Sequence, residues 1–350
     1  MVILLKIAAD LGGTNLRVGL FEVIKGELNL VRKKETEIEV DKGVAHSKKK
    51  FISTINDMFE LAREEYSTEE DIDLGLCLAG PFKNGIYNPT NLRWGPTNIS
   101  ELVRRGFRDV PGVSGVGRIV ARNDLETIGV YVANYGKGKG KSHVLVVAPG
   151  TGLGTALLID GMPYEGNPKG GVSVEGGWIT YKGETPEEVR FMEAELKKVE
   201  QREEKKRLRG LEEWVSGRGI VRCYKFVDGA SRDLAGTRIE ESRYDPAAIS
   251  KEALDGDRGC IEAFELFSKH LAYGGLAPMS TLLNPEVIVL TGNIVQRNWR
   301  LMKNVVKRVY EANVLPENRS IPIVVDYEKN AGLKGAVILV TDQRYRKFAA

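Results

Sequence analysis

Two glycine-rich turns, about half a chain apart, carry the residue types that a polyphosphate needs. The first is Asp10-Leu11-Gly12-Gly13-Thr14-Asn15-Leu16-Arg17, the second Ala148-Pro149-Gly150-Thr151-Gly152-Leu153-Gly154-Thr155. Each follows an apolar run (Leu4 to Ala9; Val144 to Val147) and leads into another that reads as a strand (Val18 to Val23; Ala156 to Ile159). A strand, a tight Gly/Thr turn and a second strand aim backbone N–H groups at one point. Glycine permits φ > 0 there and lacks the Cβ that would block close approach. The Thr14 and Thr151 hydroxyls reach phosphate oxygens, and three glycines in five positions exceed what a two-residue hairpin turn requires. Two such turns predict a nucleotide gripped from opposite sides by two related half-molecules.

Rigid elements must hold these turns, and the hydrophobic pattern supplies them. The first third reads as a three-stranded meander, about 4–10, 16–24 and 27–36. A helix follows, in which Phe51, Ile55, Met58, Phe59 and Ala62 recur at helical spacing. A strand from Asp73 to Ala79 alternates Leu74, Leu76 and Leu78 and stops at Gly80-Pro81; another, Arg118 to Ala121, leads to Asn123-Asp124 and a helix from Leu125 to Tyr135. The glycine- and lysine-rich stretch 136–141 reads as a hinge or linker. The pattern then restarts with strand 144–148, the second glycine turn, strand 155–160 and a hairpin at Asp160-Gly161. Helical segments at 185–208 and 258–282 follow. The last third holds a strand from Val287 to Leu290, the turn Thr291-Gly292-Asn293, a helix 298–312, a strand 322–326 and a helix from Ala331. Strands first, then alternating helix and strand, twice over, predict a duplicated α/β architecture.

Composition narrows the classes. A chain of 350 residues, 42% hydrophobic and 28% charged, has the make-up of a globular protein with room for two domains. The 51 basic and 48 acidic residues nearly balance, which gives no reason to expect nucleic acid or an anionic membrane as partner. No apolar run approaches the ~20 residues that span a bilayer. Cys77, Cys223 and Cys260 are odd in number and lack CxxC spacing, so a disulfide framework is not expected and a reducing cytoplasm fits. His46, His143 and His270 are equally dispersed and read as packing or surface residues. Gly140-Lys141-Ser142 looks like the end of a phosphate-binding P-loop, but its first glycine would fall on Tyr135, and the segment runs from helix to strand, the reverse of that context.

Taken in order, the turn DLGGTNLR, Ala79-Gly80-Pro81, Thr90-Asn91 with Trp94, Asn123-Asp124, the turn APGTGLGTALL, Glu175-Gly176-Gly177-Trp178, the stretch Glu212 to Gly219 and LTGN (290–293) resemble the bacterial-type glucokinases of the sugar kinase, Hsp70 and actin superfamily. The resemblance covers nearly the whole chain. It implies a duplicated actin/ribonuclease H-like fold with an interdomain cleft, a smaller domain of 1–135 plus 328–350 and a larger one of 136–327. The implied activity is transfer of the γ-phosphoryl group of ATP to the 6-hydroxyl of glucose or a related hexose. Asp124 would be the general base, accepting the hydroxyl proton as the O–P bond forms; from the residues alone it would read as a helix N-cap. Asn123, Asp124, Asn91, Glu175, Trp178 and Glu212 would contact the sugar, since carboxylates accept hydrogen bonds from paired hydroxyls. ATP would lie on Asp10, Gly12, Gly13, Thr14, Asn15 and Arg17 on one side and on Gly150, Thr151, Gly152 and Gly154 on the other, with adenine and ribose against Gly292 and Asn293. Asp10 would act through water on Mg²⁺, a hard ion that keeps its water; an Asx turn capping its own loop is the local alternative.

One position departs from the family: Trp178 stands where histidine is usual. Indole offers a donor, no acceptor and more bulk, which leaves a different hexose or a sugar acid open as substrate. The cysteine cluster of the zinc-containing branch is absent, so no structural zinc is expected. A non-catalytic sugar sensor is the competing class. Repressors of this superfamily carry a helix-turn-helix ahead of the fold, whereas the first strand here is expected within a few residues of Met1. Members of the family are often dimers, and a homodimer is compatible with the resemblance, although no stretch of the sequence marks an interface.

Overall fold

The computed structural model describes residues 3–89, 91–108, 115–166, 174–203, 210–232 and 245–348. Thr90 of the Thr90-Asn91 motif and positions 204–208 of the expected helix 185–208 lie outside the described residues. The chain divides into two compact units. One comprises Met1–Gly140, Leu157–Ser173 and Glu328–Ala350, the other Lys141–Ala156 and Val174–Tyr327.

In the first unit the meander is β1 (Leu4–Leu11), β2 (Asn15–Ile24) and β3 (Glu27–Glu37), followed by α1 (Val44–Tyr66) and β4 (Ile72–Leu78). Three two-residue strands, β5 (Phe82–Lys83), β6 (Ile86–Tyr87) and β7 (Thr97–Asn98), form a small sheet ahead of α2 (Ile99–Arg108), β8 (Val116–Asn123) and α3 (Asp124–Asn134). The main sheet runs β3-β2-β1-β4-β8, with β1, β4 and β8 parallel. Side chains alternate across it, as a strand requires. Ile7, Ala9 and Leu11 enter the core that buries Phe51, Ile55 and Phe59 of α1, while Ala8 and Cys77 turn to the opposite face.

The second half opens with β9 (His143–Pro149), β10 (Leu153–Ile159) and the short β11 (Met162–Pro163), followed by α4 (Pro186–Glu203), α5 (Gly217–Arg232), α6 (Pro246–Asp255) and α7 (Arg258–His270). Next come α8 (Ala277–Leu283), β12 (Val287–Leu290), α9 (Asn293–Ala312) and β13 (Ile323–Val325). The sheet order β11-β10-β9-β12-β13 repeats that of the first sheet, again with three parallel strands, β9, β12 and β13. The duplication read from the sequence is therefore a duplication of topology. The expected helical segment over 258–282 is helical throughout, but Leu271–Leu276 winds as a π turn containing Gly274 and Gly275, with Pro278 just after it in α8.

The last helix, α10 (Ala331–Thr341), belongs to the first unit and covers its second face, burying Leu333, Ala336 and Val337 against Ala8, Phe21, Val23 and Cys77. The approach is backbone-close: a Cβ at Gly75 of β4 would run into the Ala336 carbonyl, and one at Gly335 into the Thr127 carbonyl. The final turn, Gln343–Phe348, sets the Phe348 ring 3.9 Å from the guanidinium of Arg122, and Tyr345 Oη donates to the Gly161 carbonyl at 2.6 Å. Among the described residues no helix is long and apolar enough to cross a membrane.

Candidate active site

Parallel strands in open α/β sheets present their carboxyl ends as binding edges, and in the first unit those ends carry the expected chemistry. β1 delivers Asp10, β4 leads to Ala79-Gly80, and β8 ends at Asn123 before Asp124 opens α3. Asp10 is in register with Cys77, Cys77 with Arg122 and Leu78 with Asn123, so these groups are neighbours by sheet geometry. The Arg17 Nη1 lies 3.5 Å from Asp10 Oδ2, and its Nε is 3.2 Å from Glu35 Oε1 on β3. Burial pushes the Asp10 carboxyl above the usual range, with Arg17 working the other way. Burial, then the Asp10 and Asp124 charges, push the Cys77 thiol far up, so it stays protonated. Its Sγ lies 3.9 Å from the Asp124 carbonyl oxygen.

Asn123, not Asp124, takes the N-cap position of α3. Its Oδ1 accepts from Leu125 N at 3.0 Å and its Nδ2 donates to the Gly80 carbonyl at 3.0 Å. Asp124 is the first helical residue and partly exposed, its Oδ1 accepting from the same Leu125 N–H at 2.9 Å. Asn91 meets the first glycine turn: a Cβ on Gly13 would lie 3.1 Å from Asn91 Nδ2. Gly12 N donates to Asn15 O at 2.9 Å to close that turn, with Thr14 and Asn15 exposed at its tip.

In the second unit the carboxyl end of β9 runs into Gly150, and that of β12 into Thr291-Gly292. Gly292 (φ 88°) needs its glycine, both for the left-handed backbone and because a Cβ would lie 3.0 Å from the Pro149 carbonyl oxygen. Asn293 opens α9 five residues earlier than the expected helix start. Gly150 N donates to Gly152 O at 2.8 Å, while Gly154 lies inside β10 and outside the turn. None of Gly12, Gly13, Gly150, Gly152 and Gly154 has positive φ. Left-handed backbone is thus not why these turns are glycine-rich; at Gly13 and Gly152 the reason is the missing Cβ. At Gly152 the space is taken by Glu212, whose Oε2 would lie 2.7 Å from a Cβ.

Glu175 precedes and Trp178 ends a one-turn 3-10 segment, Gly176–Trp178, which Thr155 latches by donating to the Val174 carbonyl and accepting from Gly176 N at 2.8 Å. The turn holding Glu212, Leu211–Glu213, docks on it: Leu211 N donates to Ile179 O at 2.8 Å, and a Cβ on Gly177 would lie 3.4 Å from Glu212 Cβ. Trp178 is 57% exposed, so its indole is not used for core packing. The second unit therefore gathers Glu175, Trp178, Glu212 and the second glycine turn, as the first gathers Asp10, Arg17, Asn91, Asn123 and Asp124.

Sequence reasoning passed over Cys77, Glu35 and Arg218. For Cys77 a signal existed: Gly75 and Cys77 are small residues on the strand face opposite the leucines, matching the small residues of Ala331-Gly332-Leu333-Lys334-Gly335-Ala336.

Two sheets of one topology, each a meander joined to parallel strands, constitute an actin/ribonuclease H-like fold. The chain matches the glucokinase family profile over residues 7–343 and belongs to that family. It is 27% identical over 346 residues to a glucokinase of Saccharophagus degradans, covering 95% of this chain and 97% of that one. Among solved structures it is similar to a ROK family glucokinase from Streptomyces griseus in complex with glucose and AMPPNP (TM-score 0.66, 20% identity, 96% of this chain and 98% of that one). A ROK family transcriptional regulator, a homologue of the E. coli MLC protein, is alike in fold (TM-score 0.67, 17% identity), with 96% of this chain covered but 77% of the regulator.

Proposed function

We propose that this chain is an ATP-dependent hexose kinase that phosphorylates the 6-hydroxyl of glucose or a related hexose. The observation that carries the reading is the placement of Asp124. It follows the carboxyl end of a parallel strand and is partly exposed, with Asn123 taking the N-cap position and sharing the Leu125 N–H with it. A carboxylate in that position accepts the proton as the sugar O6 attacks the γ-phosphorus; the bond to the β,γ-bridging oxygen breaks, and ADP leaves. Little covalent work falls to the protein, so the remaining residues position groups and balance charge. Glu175 and Glu212 accept hydrogen bonds from sugar hydroxyls, and Asn91 and Asn123 orient them. Gly12 to Asn15, the 150–154 segment, Gly292 and Asn293 receive the nucleotide, and Arg17, aligned by Glu35, supplies positive charge. The glucose and AMPPNP held by the S. griseus relative support this choice of substrates.

The donor set suits magnesium. Asp10 offers carboxylate oxygens beside the first glycine turn, and a hard cation that keeps most of its water needs few protein ligands. Asp10 would hold it through water, and when bound it neutralises charge on the phosphates.

A coupled ADP-release assay against a panel of hexoses tests the reading, with Asp124→Asn as the diagnostic variant. Its kcat is expected to fall about 10³-fold, with ATP affinity by calorimetry kept. Near-normal turnover in Asp124→Asn refutes the base assignment. Absence of sugar-stimulated ADP release from the unaltered protein with every hexose refutes the kinase reading in favour of a regulator.

A further inference from the structure

Glu212 and Glu213 are adjacent on a single 3-10 turn and so point in different directions. Glu213 is 3% exposed, and its charge is met from below by Arg222. The Arg222 Nη1 lies 2.7 Å from Glu213 Oε2 and also donates to the Glu213 carbonyl oxygen at 2.5 Å. Arg218, one turn earlier on α5 and 42% exposed, adds a third member, with its Nη2 lying 3.3 Å from Glu213 Oε1 and 3.7 Å from Glu212 Oε1. The other Glu212 oxygen rests over Gly152 of the second glycine turn. That turn is fastened to the start of α5, because Gly217 N donates to the Gly150 carbonyl at 2.8 Å. Gly150, Gly152, Glu212, Arg218 and Gly217 thus close a ring.

We propose that Arg218 is a positioning residue for the Glu212 carboxylate, fixing it against the second glycine turn in the orientation that receives sugar hydroxyls. The inference rests on the kinase reading and extends it to a residue that need not touch the sugar. A guanidinium is suited to the task, since its rigid fork bridges two carboxylates in fixed geometry, which an ammonium on a flexible stem does less well. Because Arg222 keeps its contact with Glu213 Oε2, removing Arg218 leaves that buried carboxylate with a cation beside it. Without it the Glu212 carboxylate loses its cation and samples orientations that hydrogen-bond the sugar less well. The effect falls on sugar affinity.

The test compares Arg218→Met, Arg218→Lys and the unaltered protein in the same ADP-release assay, alongside thermal denaturation. For Arg218→Met the sugar KM is expected to rise about tenfold, kcat and the ATP KM to move much less, and the melting temperature to stay within a few degrees; Arg218→Lys should recover part of the sugar KM. Arg222→Met, which takes away the buried, nearer cation of Glu213, should instead lower the melting temperature sharply. An active native enzyme whose Arg218→Met variant keeps its sugar KM overturns the inference and leaves the kinase reading intact. So does an Arg218→Met protein that melts as early as Arg222→Met with all kinetic constants shifted together. A native protein that turns over no hexose refutes the kinase reading, and this inference falls with it.

Discussion

Gly332, second residue of α10, offers a clean separation of activity from stability. A Cβ there would lie 2.9 Å from Asp10 Oδ2, 3.1 Å from Asp10 Cγ and 3.0 Å from Cys77 Sγ. Ordinary contact begins near ~3.4 Å, so Gly332→Ala obliges the Asp10 carboxylate to retreat by roughly 0.5 Å. Two stability effects oppose each other. Alanine favours a helix over glycine by up to about 1 kcal/mol, and crowding a packed site opposes folding by about 1–3 kcal/mol. The net change should be within about 2 kcal/mol, a shift of a few degrees in melting temperature. Activity is more sensitive, because a site tolerates displacements of about 0.5 Å and a misplacement of ~1 Å lowers rate about 100-fold. A fall in kcat of about tenfold, with raised magnesium demand, is expected in the coupled assay. Full activity with unaltered magnesium dependence would refute the claim that this close approach fixes Asp10. A loss of activity matched by loss of folded protein would do the same.

Two further outcomes follow from buried charge. Asp10 has its pKa raised by burial, so its ionised form opposes folding above the native pKa and is neutral in effect below the ordinary carboxylate range. Asp10→Asn should therefore raise the melting temperature at pH 7 while abolishing phosphoryl transfer, the gain shrinking as pH falls towards 4; a variant less stable than the parent at pH 7 would contradict this. His270 is buried with its Nδ1 2.8 Å from Tyr181 Oη, and burial, opposed by Glu188, lowers its pKa to about 4. The unfolded chain binds that proton first, so stability should decline by about 3 kcal/mol as pH falls from 6.5 to 4. A pH series of melting temperatures should show this slope in the parent and a flatter one in His270→Gln, and identical slopes would refute it.

The long elements were legible because their periodicity was strong. Phe51, Ile55, Met58, Phe59 and Ala62 do line the buried face of α1, and the alternating leucines of β4 do enter one core. Weak or mixed signals hid the rest. β5, β6 and β7 are two residues each, too short for any alternation to register. The π turn at 271–276 leaves the apolar spacing of a continuous helix nearly undisturbed, so only its paired glycines and Pro278 could have announced it. At the candidate site, strand-end aspartates and glycine turns are local features and can be read in a line of text. The Arg218 to Glu212 contact and the Glu35 to Arg17 pair join residues on different elements, and one sequence carries no periodic trace of either.

The covering of the first sheet by α10 has a consequence for biosynthesis. The strands that carry Asp10, Cys77 and Arg122 leave the ribosome roughly two hundred to more than three hundred residues before Leu333, Ala336, Val337 and Phe348 arrive to cover them. Until then the nascent sheet presents Phe21, Val23 and Cys77 to its surroundings, in a state prone to association with other chains. The half of the molecule translated first is therefore the last to become complete, and release of residues 331–348, not synthesis of the strands, sets the moment at which this half acquires its native packing.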